Sequence, residues 1–435
     1  METKGEGLTY WGLLTDRSIG PMLLAANISR AASGLIPFGL VAFYTSRLQF
    51  MEAGVVSTVT MLAGAITAPL KARLLARMSP ARLLLPLALV GGLLIIAAQT
   101  MALGSIPFWA SALFLALGFA FLPPTPAVIR ELWTQLAPSE ASSRTLHALD
   151  SVLEELTFAL TPLLTSLIWA MSDPYWAIVL GVVLAAVGNA LIIAVGSRRG
   201  TATRSLLRTP IQAQEQAEEG TEGRSRRRRF GLGLAPGVLA NALALLLPVA
   251  CLGLTMSALT IILPAWSQKV TGSQPLSGVL LSLISWSGTL AGFIFGRLRL
   301  RIRDSRQYQF ESLLMLAAVG LFALSAFLPS TPALLVAVCA AVMFGAAMTP
   351  MFVSSYVLVG PAFASNIQAS MNAALGSVYN LADGLASLAF AALLQARGTG
   401  LTLVVLTLFV AAAVCFGLFR PVRPAAKAPA SPGQD

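Results

Sequence analysis

Acidic side chains lie inside a stretch of the chain that is apolar enough to cross a bilayer. Residues 143–170 read SRTLHALDSVLEELTFALTPLLTSLIWA, and Asp150, Glu154 and Glu155 fall in the first half of that stretch. A charge at the centre of a membrane helix costs about 2.5 kcal/mol or more, so it needs a partner, a proton or a water-filled cavity. Asp150 and Glu154 are four residues apart and share one helical face. The spacing therefore indicates chemistry in which carboxylates hold or release a proton.

Arg30 is the basic residue that could face these acids. It lies about a dozen residues into its own apolar stretch, at a depth similar to that of Glu154, since helices rise about 1.5 Å per residue. We predict that Arg30 lies within salt-bridge or one-water distance of Asp150 or Glu154. With Glu155, these residues form either a coupling or substrate-binding network or a structural ion-pair cluster that fixes helix packing. Glu154 is the preferred titrating group because it lies deeper than Asp150.

Two other polar positions could take part in the same chemistry. His147, the single histidine, precedes the first of these acids by three residues and could relay protons, although a lone interfacial histidine usually has no such role. Glu52 and Glu311 lie at the ends of predicted spans and are expected to face water or headgroups, so Asp383 is the only acid expected inside the membrane core of the second half. Asp383 belongs to a second polar stripe with Asn372 and Asn380. It is either a binding or coupling residue, or an acid that is hydrogen-bonded to Tyr379 or to a neighbouring helix.

The composition of the chain fixes its class. The 435 residues are 56% hydrophobic and 11% charged, whereas soluble proteins carry about 25% charged residues. Apolar runs of spanning length recur throughout, which predicts an all-α polytopic membrane protein. The N-terminus has no features of a cleaved signal peptide. Cys251, Cys339 and Cys415 lie in separate apolar runs, so we expect no disulfide, no metal site and no cofactor.

Twelve transmembrane helices are expected, in two halves of six. The predicted spans are 19–45, 51–73, 80–101, 105–129, 145–170, 174–196, 238–266, 277–298, 309–328, 332–357, 368–396 and 400–420. The predicted domains are an N-terminal half (1–196), a basic cytoplasmic linker (197–236), a C-terminal half (237–420) and a disordered tail (421–435). Three prolines, Pro123, Pro124 and Pro126, must kink or interrupt the fourth span.

The distribution of charge predicts the orientation. With a cytoplasmic N-terminus, nearly all of the 29 Lys and Arg residues fall on the inner side. The exceptions are Arg47, Lys269 and Arg397 in outer loops, and Arg30 within a span. This asymmetry follows the positive-inside rule and places both termini in the cytoplasm of a multi-pass cell-membrane protein. The net charge of +11 then reflects topology and an anionic inner leaflet rather than nucleic-acid binding.

The two halves repeat each other at several positions. The matched pairs, 224 or 222 positions apart, are Gly54 with Gly278, Arg77 with Arg301, Thr125-Pro126 with Thr349-Pro350, Pro162 with Gly384, and Asp150 with Asn372. Repeated six-helix halves are an architecture of secondary transporters, whose binding site lies near the membrane midplane between the repeats.

The loops after the second and eighth spans resemble a motif of the major facilitator superfamily. The loop ARLLARMSPAR (residues 72–82) is similar to Gly-x-Leu-x-Asp-Arg-x-Gly-Arg, and GRLRLRIR (residues 296–303) resembles a second copy; the family's aspartate is replaced by Ala76 and Leu300. The resemblance, which is to bacterial members and covers residues 13–420, implies the fold of that family. It also implies a cytoplasmic gate formed by Arg77, Arg82, Gly296 and Arg301.

The same resemblance implies a substrate cavity and a function. The cavity residues that it implies are Phe38, Phe121, Thr125, Met256, Thr260, Met343 and Thr349, and the polar stripe described above adds Asn372 and Asn380. No enzyme signature is present in the sequence. We expect a monomeric secondary transporter that works by alternating access and exports a small, rather apolar compound in exchange for protons. Proton-coupled uptake of a metabolite, or a non-transporting membrane partner or sensor with the same fold, are the alternatives.

Overall fold

The computed structural model describes residues 10–17, 19–104, 106–136, 140–197, 236–297 and 304–422. All regular secondary structure in this part of the chain is helical. The helices are α1 (Tyr10–Thr15), α2 (Gly20–Thr45), α3 (Phe50–Arg77), α4 (Pro80–Leu103), α5 (Phe108–Phe121), α6 (Thr125–Leu136), α7 (Glu140–Met171), α8 (Tyr175–Ser197), α9 (Pro236–Thr271), α10 (Leu276–Arg297), α11 (Asp304–Ser325), α12 (Ser330–Ala362) and α13 (Ser365–Phe419). The predicted linker and tail lie outside the described residues, apart from a few at their ends.

The predicted spans agree with these helices, and the all-helical membrane fold is confirmed. Within the described residues, eleven helical segments are long and apolar enough to cross a membrane. The last of them, α13, contains both the eleventh and the twelfth predicted spans. Its backbone leaves the helical region at Gly398, where φ is +73°. Glycine adopts this left-handed conformation without the steric cost of a Cβ atom, so Gly398 separates the two spans.

The fourth predicted span is interrupted as its prolines require. Helix α5 ends at Phe121 and α6 begins at Thr125, because Pro123 and Pro124 cannot donate a backbone hydrogen bond. The carbonyl of Phe119 therefore loses the partner that a helical residue 123 would supply. Lys71 Nζ of α3 donates to this carbonyl across 3.1 Å, so a side chain from another helix takes the place of the missing amide.

By their contacts, the helices divide into two compact units. The first comprises the described residues within Met1–Arg229, Thr260–Trp286 and Ser387–Ala396. The second comprises the described residues within Phe230–Leu259, Ser287–Ala386 and Arg397–Asp435. Parts of α9, α10 and α13 therefore pack with the helices of the N-terminal half. The predicted halves, by contrast, are consecutive parts of the sequence on either side of residues 197–236, and this division stays a prediction.

Two repeat-related glycines lie at close helix contacts in the first unit. A Cβ atom added to Gly54 of α3 would lie 2.7 Å from the carbonyl oxygen of Ser387 in α13 and would also meet Ala391 Cβ. A Cβ atom added to Gly278 of α10 would lie 2.5 Å from the carbonyl oxygen of Pro162 in α7. Each glycine thus lets a helix of one half of the sequence touch the backbone of a helix from the other half.

A third close approach positions the polar residues described below. At Gly188 of α8, an added Cβ atom would lie 2.5 Å from Ser29 Cα of α2. The absence of a side chain at Gly188 allows the two backbones to meet. The following residue, Asn189, is fully buried as a consequence, and its amide reaches Ser29.

Candidate functional site

The predicted ion pair between α2 and α7 is present. Arg30 Nη2 lies 2.8 Å from Asp150 Oδ1, and the two side chains are only 4% and 5% exposed. Arg30 Nη1 also donates to Asn27 Oδ1 across 3.3 Å. Arg30 Nε is buried and has no partner among the described residues. Since an unpaired charge in a dry interior is costly, the pair holds the two helices together at this level.

The structure places Glu154 and Glu155 of α7 apart from this pair. Glu154 Oε2 lies 3.9 Å from Arg130 Nη2 of α6, and the two side chains are 28% and 66% exposed. Glu155 is exposed. The proposed cluster around Arg30 is therefore incomplete: Asp150 joins it, while Glu154 has a different and more accessible partner. Any role of Glu154 or Glu155 in proton coupling stays a prediction.

His147 lies near α6 rather than within an acid cluster. Its Nε2 atom is 3.4 Å from Thr134 Oγ1, and its side chain is half-buried. A hydrogen bond between these atoms links α6 to α7 beside Arg130. Within the described residues His147 contacts no carboxylate, so the proton relay also stays a prediction.

A cavity of about 200 Å³ lies between α2, the α5–α6 break and α8; we call it the α2–α8 cavity. Apolar side chains and prolines form most of its wall, with a few polar groups. It is lined by Ser29, Arg30, Ala32, Ser33, Ile36, Pro37, Phe119, Leu122, Pro123, Thr125, Pro126, Ile129, Ala185 and Asn189. Every lining residue belongs to the first compact unit.

A chain of hydrogen bonds fixes the polar side of the α2–α8 cavity. Thr125 Oγ1, in the first turn of α6, donates to Asn189 Oδ1 across 2.9 Å. Asn189 Nδ2 donates to Ser29 Oγ across 3.1 Å and to the carbonyl oxygen of Ala185 across 2.8 Å. Both ends of the Asn189 amide are thus occupied, and three helices are joined next to Arg30.

Of the predicted cavity residues, Thr125 alone among those described lines the α2–α8 cavity. Phe38 and Thr260 line a smaller space of about 20 Å³ in the first unit. Phe121 is 42% exposed. Thr349 of α12 packs against α10, where a Cβ atom at Gly292 would lie 2.6 Å from its Cγ2 atom.

The remaining predicted positions lie in the second unit. Met256 and Met343 are half-buried, and Asn372 and Asn380 of α13 are exposed. Asp383 of α13 is half-buried and accepts a hydrogen bond from Ser257 of α9. Asp383 is therefore hydrogen-bonded to a neighbouring helix, which is one of the arrangements expected from the sequence. A binding or coupling role for Asp383 stays a prediction.

Glu311 corrects one expectation from the sequence. At the end of the predicted span 309–328 it was expected to face water or headgroups, but it is only 5% exposed. Helix α11 begins at Asp304, so Glu311 lies two turns inside it. Its Oε1 atom accepts from Gln307 Nε2 and Ser354 Oγ, each across 3.1 Å. Asp383 is consequently not the sole acid inside the second half.

The predicted gate motif can be placed only in part. Arg77 ends α3 and Arg82 lies in the first turn of α4, and both side chains are exposed. Gly296 is the penultimate residue of α10, and Arg301 lies outside the described residues. The gating role of these residues stays a prediction.

Two residues of the site were missed by the sequence reasoning. Arg130 lies one position beyond the predicted fourth span, and Asn189 lies in the sixth span, where it was read as part of an apolar run. The Gly188-Asn189 pair was the available signal for the second, because a small residue beside a polar one inside a membrane helix is typical of a helix–helix contact.

Comparison with known proteins agrees with this architecture. A variant of the nucleoside transporter NupG has 12% identity and a TM-score of 0.70, with 92% of this chain and 98% of that chain covered. A bacterial homologue of the iron transporter ferroportin, in an inward-facing state, has 13% identity and a TM-score of 0.69, with 92% and 97% covered. The D-xylose-proton symporter has 13% identity and a TM-score of 0.66, with 93% and 98% covered.

These likenesses show the fold. No curated protein matches the chain. The sequence model of the Major Facilitator Superfamily, however, matches residues 22–387, which is most of the chain and includes the Arg30–Asp150 pair and the α2–α8 cavity. The chain therefore belongs to the Major Facilitator Superfamily and is a transporter rather than an enzyme.

Proposed function

We propose that this transporter exports a small, rather apolar compound in exchange for protons, with Asp150 as the coupling acid. The observation that carries the proposal is the buried Arg30–Asp150 pair, with its 2.8 Å contact between α2 and α7. Arg30 also forms part of the wall of the α2–α8 cavity. The same side chain thus contacts both a proton-binding group and a cavity. Glu154 was preferred from the sequence, but its exposed partner Arg130 makes it less suited to this role.

Proton and compound are linked through α2 in this proposal. Protonation of Asp150 removes its charge and leaves Arg30 without its counter-ion. Breaking a buried pair in this way costs about 3–5 kcal/mol, so α2 and α7 are no longer held in the geometry that shapes the cavity. A compound that binds the paired form is then released by the proton, and by linkage the compound also opposes protonation. Such mutual antagonism couples proton entry to export of the compound.

The experiment starts by finding a compound that raises the melting temperature of the purified protein. Its transport is then followed in proteoliposomes under an imposed pH gradient. Asp150→Asn mimics the protonated form, so we expect it to insert but to bind the compound weakly at every pH and to lose transport driven by the gradient. Glu154→Gln, Glu155→Gln and Asp383→Asn are the matched acid-to-amide controls. Normal gradient-driven transport by Asp150→Asn would show that Asp150 is not the coupling acid.

Whether acidification weakens or strengthens binding of the compound distinguishes proton-coupled export from proton-coupled uptake. Exchange predicts that acidification weakens binding of the compound to the wild type, and that Asp150→Asn removes this pH dependence. Symport predicts the opposite, because proton and compound would then strengthen each other's binding. Tighter binding at low pH would therefore overturn the exchange mechanism.

We also propose that the transporter acts as a monomer in the cell membrane, with both termini and residues 197–236 in the cytoplasm. The support is the excess of Lys and Arg in the segments assigned to the inner side. In a variant whose native cysteines are replaced, a cysteine introduced at Ser225 should resist a membrane-impermeant maleimide added to intact cells. Rapid labelling of that cysteine would reverse the orientation.

A further inference from the structure

We propose that the α2–α8 cavity binds the polar end of the transported compound, and that this end is an uncharged hydrogen-bond acceptor, such as a carbonyl, on a compact apolar body. The inference rests on the proposed transport function and adds the chemical class of the substrate.

The charges of the cavity favour a neutral ligand. Among the described residues that line it, Arg30 is the only charged one, and that charge is already balanced by Asp150 at 2.8 Å. A cation would meet no carboxylate in the cavity wall. An anion would place a second negative charge beside one arginine, and burying such an excess charge is costly. A neutral compound leaves the pair balanced.

The hydrogen bonds show which kind of polar group the site lacks. Both N–H groups of the Asn189 amide are used by Ser29 and Ala185, and its oxygen accepts from Thr125. Ser29 Oγ accepts from this amide, but the Ser29 hydroxyl proton has no acceptor among the described residues, and neither has Arg30 Nε–H. Both unused groups are donors. Since buried polar groups are normally paired, a bound ligand should supply an acceptor.

The volume sets the size of the apolar body. An engineered protein cavity of about 150 Å³ binds benzene, so about 200 Å³ accommodates a six-membered ring with one small polar group. Ile36, Leu122 and Ile129 supply apolar wall for such a ring. The ring is stabilised by leaving water, while the carbonyl offers its oxygen to the donors of α2.

Three cyclohexyl probes with the same ring test the proposal by saturation-transfer NMR on the purified protein: cyclohexanone, cyclohexanecarboxylate and cyclohexylammonium. The signal retained by Ala185→Leu, in which a larger side chain fills the cavity, measures partitioning into detergent and is subtracted. We expect cyclohexanone to bind about tenfold or more tightly than either ion. Ser29→Ala removes one neutral hydrogen bond and should weaken cyclohexanone binding by about two- to tenfold.

The matched control is Ser111→Ala. Ser111 is a buried serine of the same half, but it contacts Tyr44 and the carbonyl of Ala98 and is absent from the cavity wall. It should leave cyclohexanone binding unchanged. Melting curves confirm that each variant is folded, and Thr125→Val is the second cavity variant if Ser29→Ala is not. Equal binding of either ion, or equal loss in the serine variant and its control, would overturn the proposal.

The outcome is independent of the proton mechanism. The probes bind at equilibrium without a gradient, so a preference for cyclohexanone stands even if Asp150→Asn transports normally. Conversely, a failed preference leaves the proton-coupling test untouched. The proposal on the ligand class and the proposal on proton coupling can therefore be refuted independently.

Discussion

A methyl group at Gly54 should shift the conformational equilibrium of the transporter. In the structure, a Cβ atom at this position would lie 2.7 Å from the carbonyl oxygen of Ser387, and real Cβ atoms do not approach other atoms below 3.0 Å. The atoms that it would meet include backbone atoms of Ser387 and Leu388, which cannot rotate away, so α3 and α13 must separate. Overpacking of this kind costs about 1–3 kcal/mol.

This cost falls on every conformation that keeps the contact between α3 and α13. Alternating conformations of a transporter differ by a few kcal/mol, and about 1–3 kcal/mol corresponds to a roughly 5- to 150-fold change in their ratio. Gly54→Ala should therefore deplete the conformation in which α3 touches α13. Gly278→Ala, at the repeat-related contact of α10 with α7, should act in the same direction, because its Cβ atom would lie 2.5 Å from the carbonyl oxygen of Pro162.

Gly64→Ala is the matched control for Gly54→Ala. Gly64 lies in the same helix, and a Cβ atom there would meet nothing within 4 Å. Both substitutions change helix propensity by the same amount, about 1 kcal/mol in favour of alanine. Any difference between them therefore reports the contact with α13 rather than the stiffness of α3.

Double electron–electron resonance measures the distance between two spin labels and so reports the separation of α3 from α13. Leu48, before α3, and Gln395, in α13, are exposed and carry the labels in a variant whose native cysteines are replaced. Gly54→Ala should add or enlarge a longer-distance population, while Gly64→Ala should match the wild type. Identical distance distributions in all three proteins would refute the idea that this contact controls the equilibrium.

Three further predictions concern an ion pair, a hydrogen bond and a backbone conformation, and each is tested through the stability of the purified protein. Arg30→Met or Asp150→Leu alone should destabilise it by about 3–5 kcal/mol, and the double variant by less than the sum, since both buried charges are then gone; additive losses in a double-mutant cycle would contradict the pairing. Lys71→Met should cost about 1–3 kcal/mol by leaving the Phe119 carbonyl without a donor, with partial recovery in Lys71→Arg; an unchanged melting temperature would count against that bond. Leu48→Gly should raise stability slightly, by about 1 kcal/mol or less, because Leu48 adopts a φ of +59° that glycine tolerates better; a lower melting temperature would argue otherwise.

Much of the fold was predictable because membrane helices have a simple physical signature. The length of an apolar run follows from bilayer thickness, and the break near Pro123 follows from a missing amide. The pair of Arg30 and Asp150 was predictable from matched depth, since two buried charges of opposite sign are cheaper together. Each of these features follows from the sequence of a single helix, or from the depth of a residue in the membrane.

The features that the sequence did not predict depend on which faces of neighbouring helices pack against each other. The partner of Glu154 is Arg130, which lay just past the end assigned to the fourth span and so was counted outside the membrane. The α2–α8 cavity depends on the contact of Gly188 with Ser29, and hydropathy does not specify which faces of two apolar helices touch. Glu311 was misplaced because a few residues at a helix end decide whether an acid is inside or outside.

The bond from Lys71 to the Phe119 carbonyl constrains how the helices can travel. If α3 slid along α5, this carbonyl would lose its donor, at a cost of about 1–3 kcal/mol. Helix α3 and the end of α5 should therefore move as one rigid body. Because Gly54 lies on α3 and Phe119 forms part of the wall of the α2–α8 cavity, we expect loss of the contact at Gly54 to change the shape of that cavity.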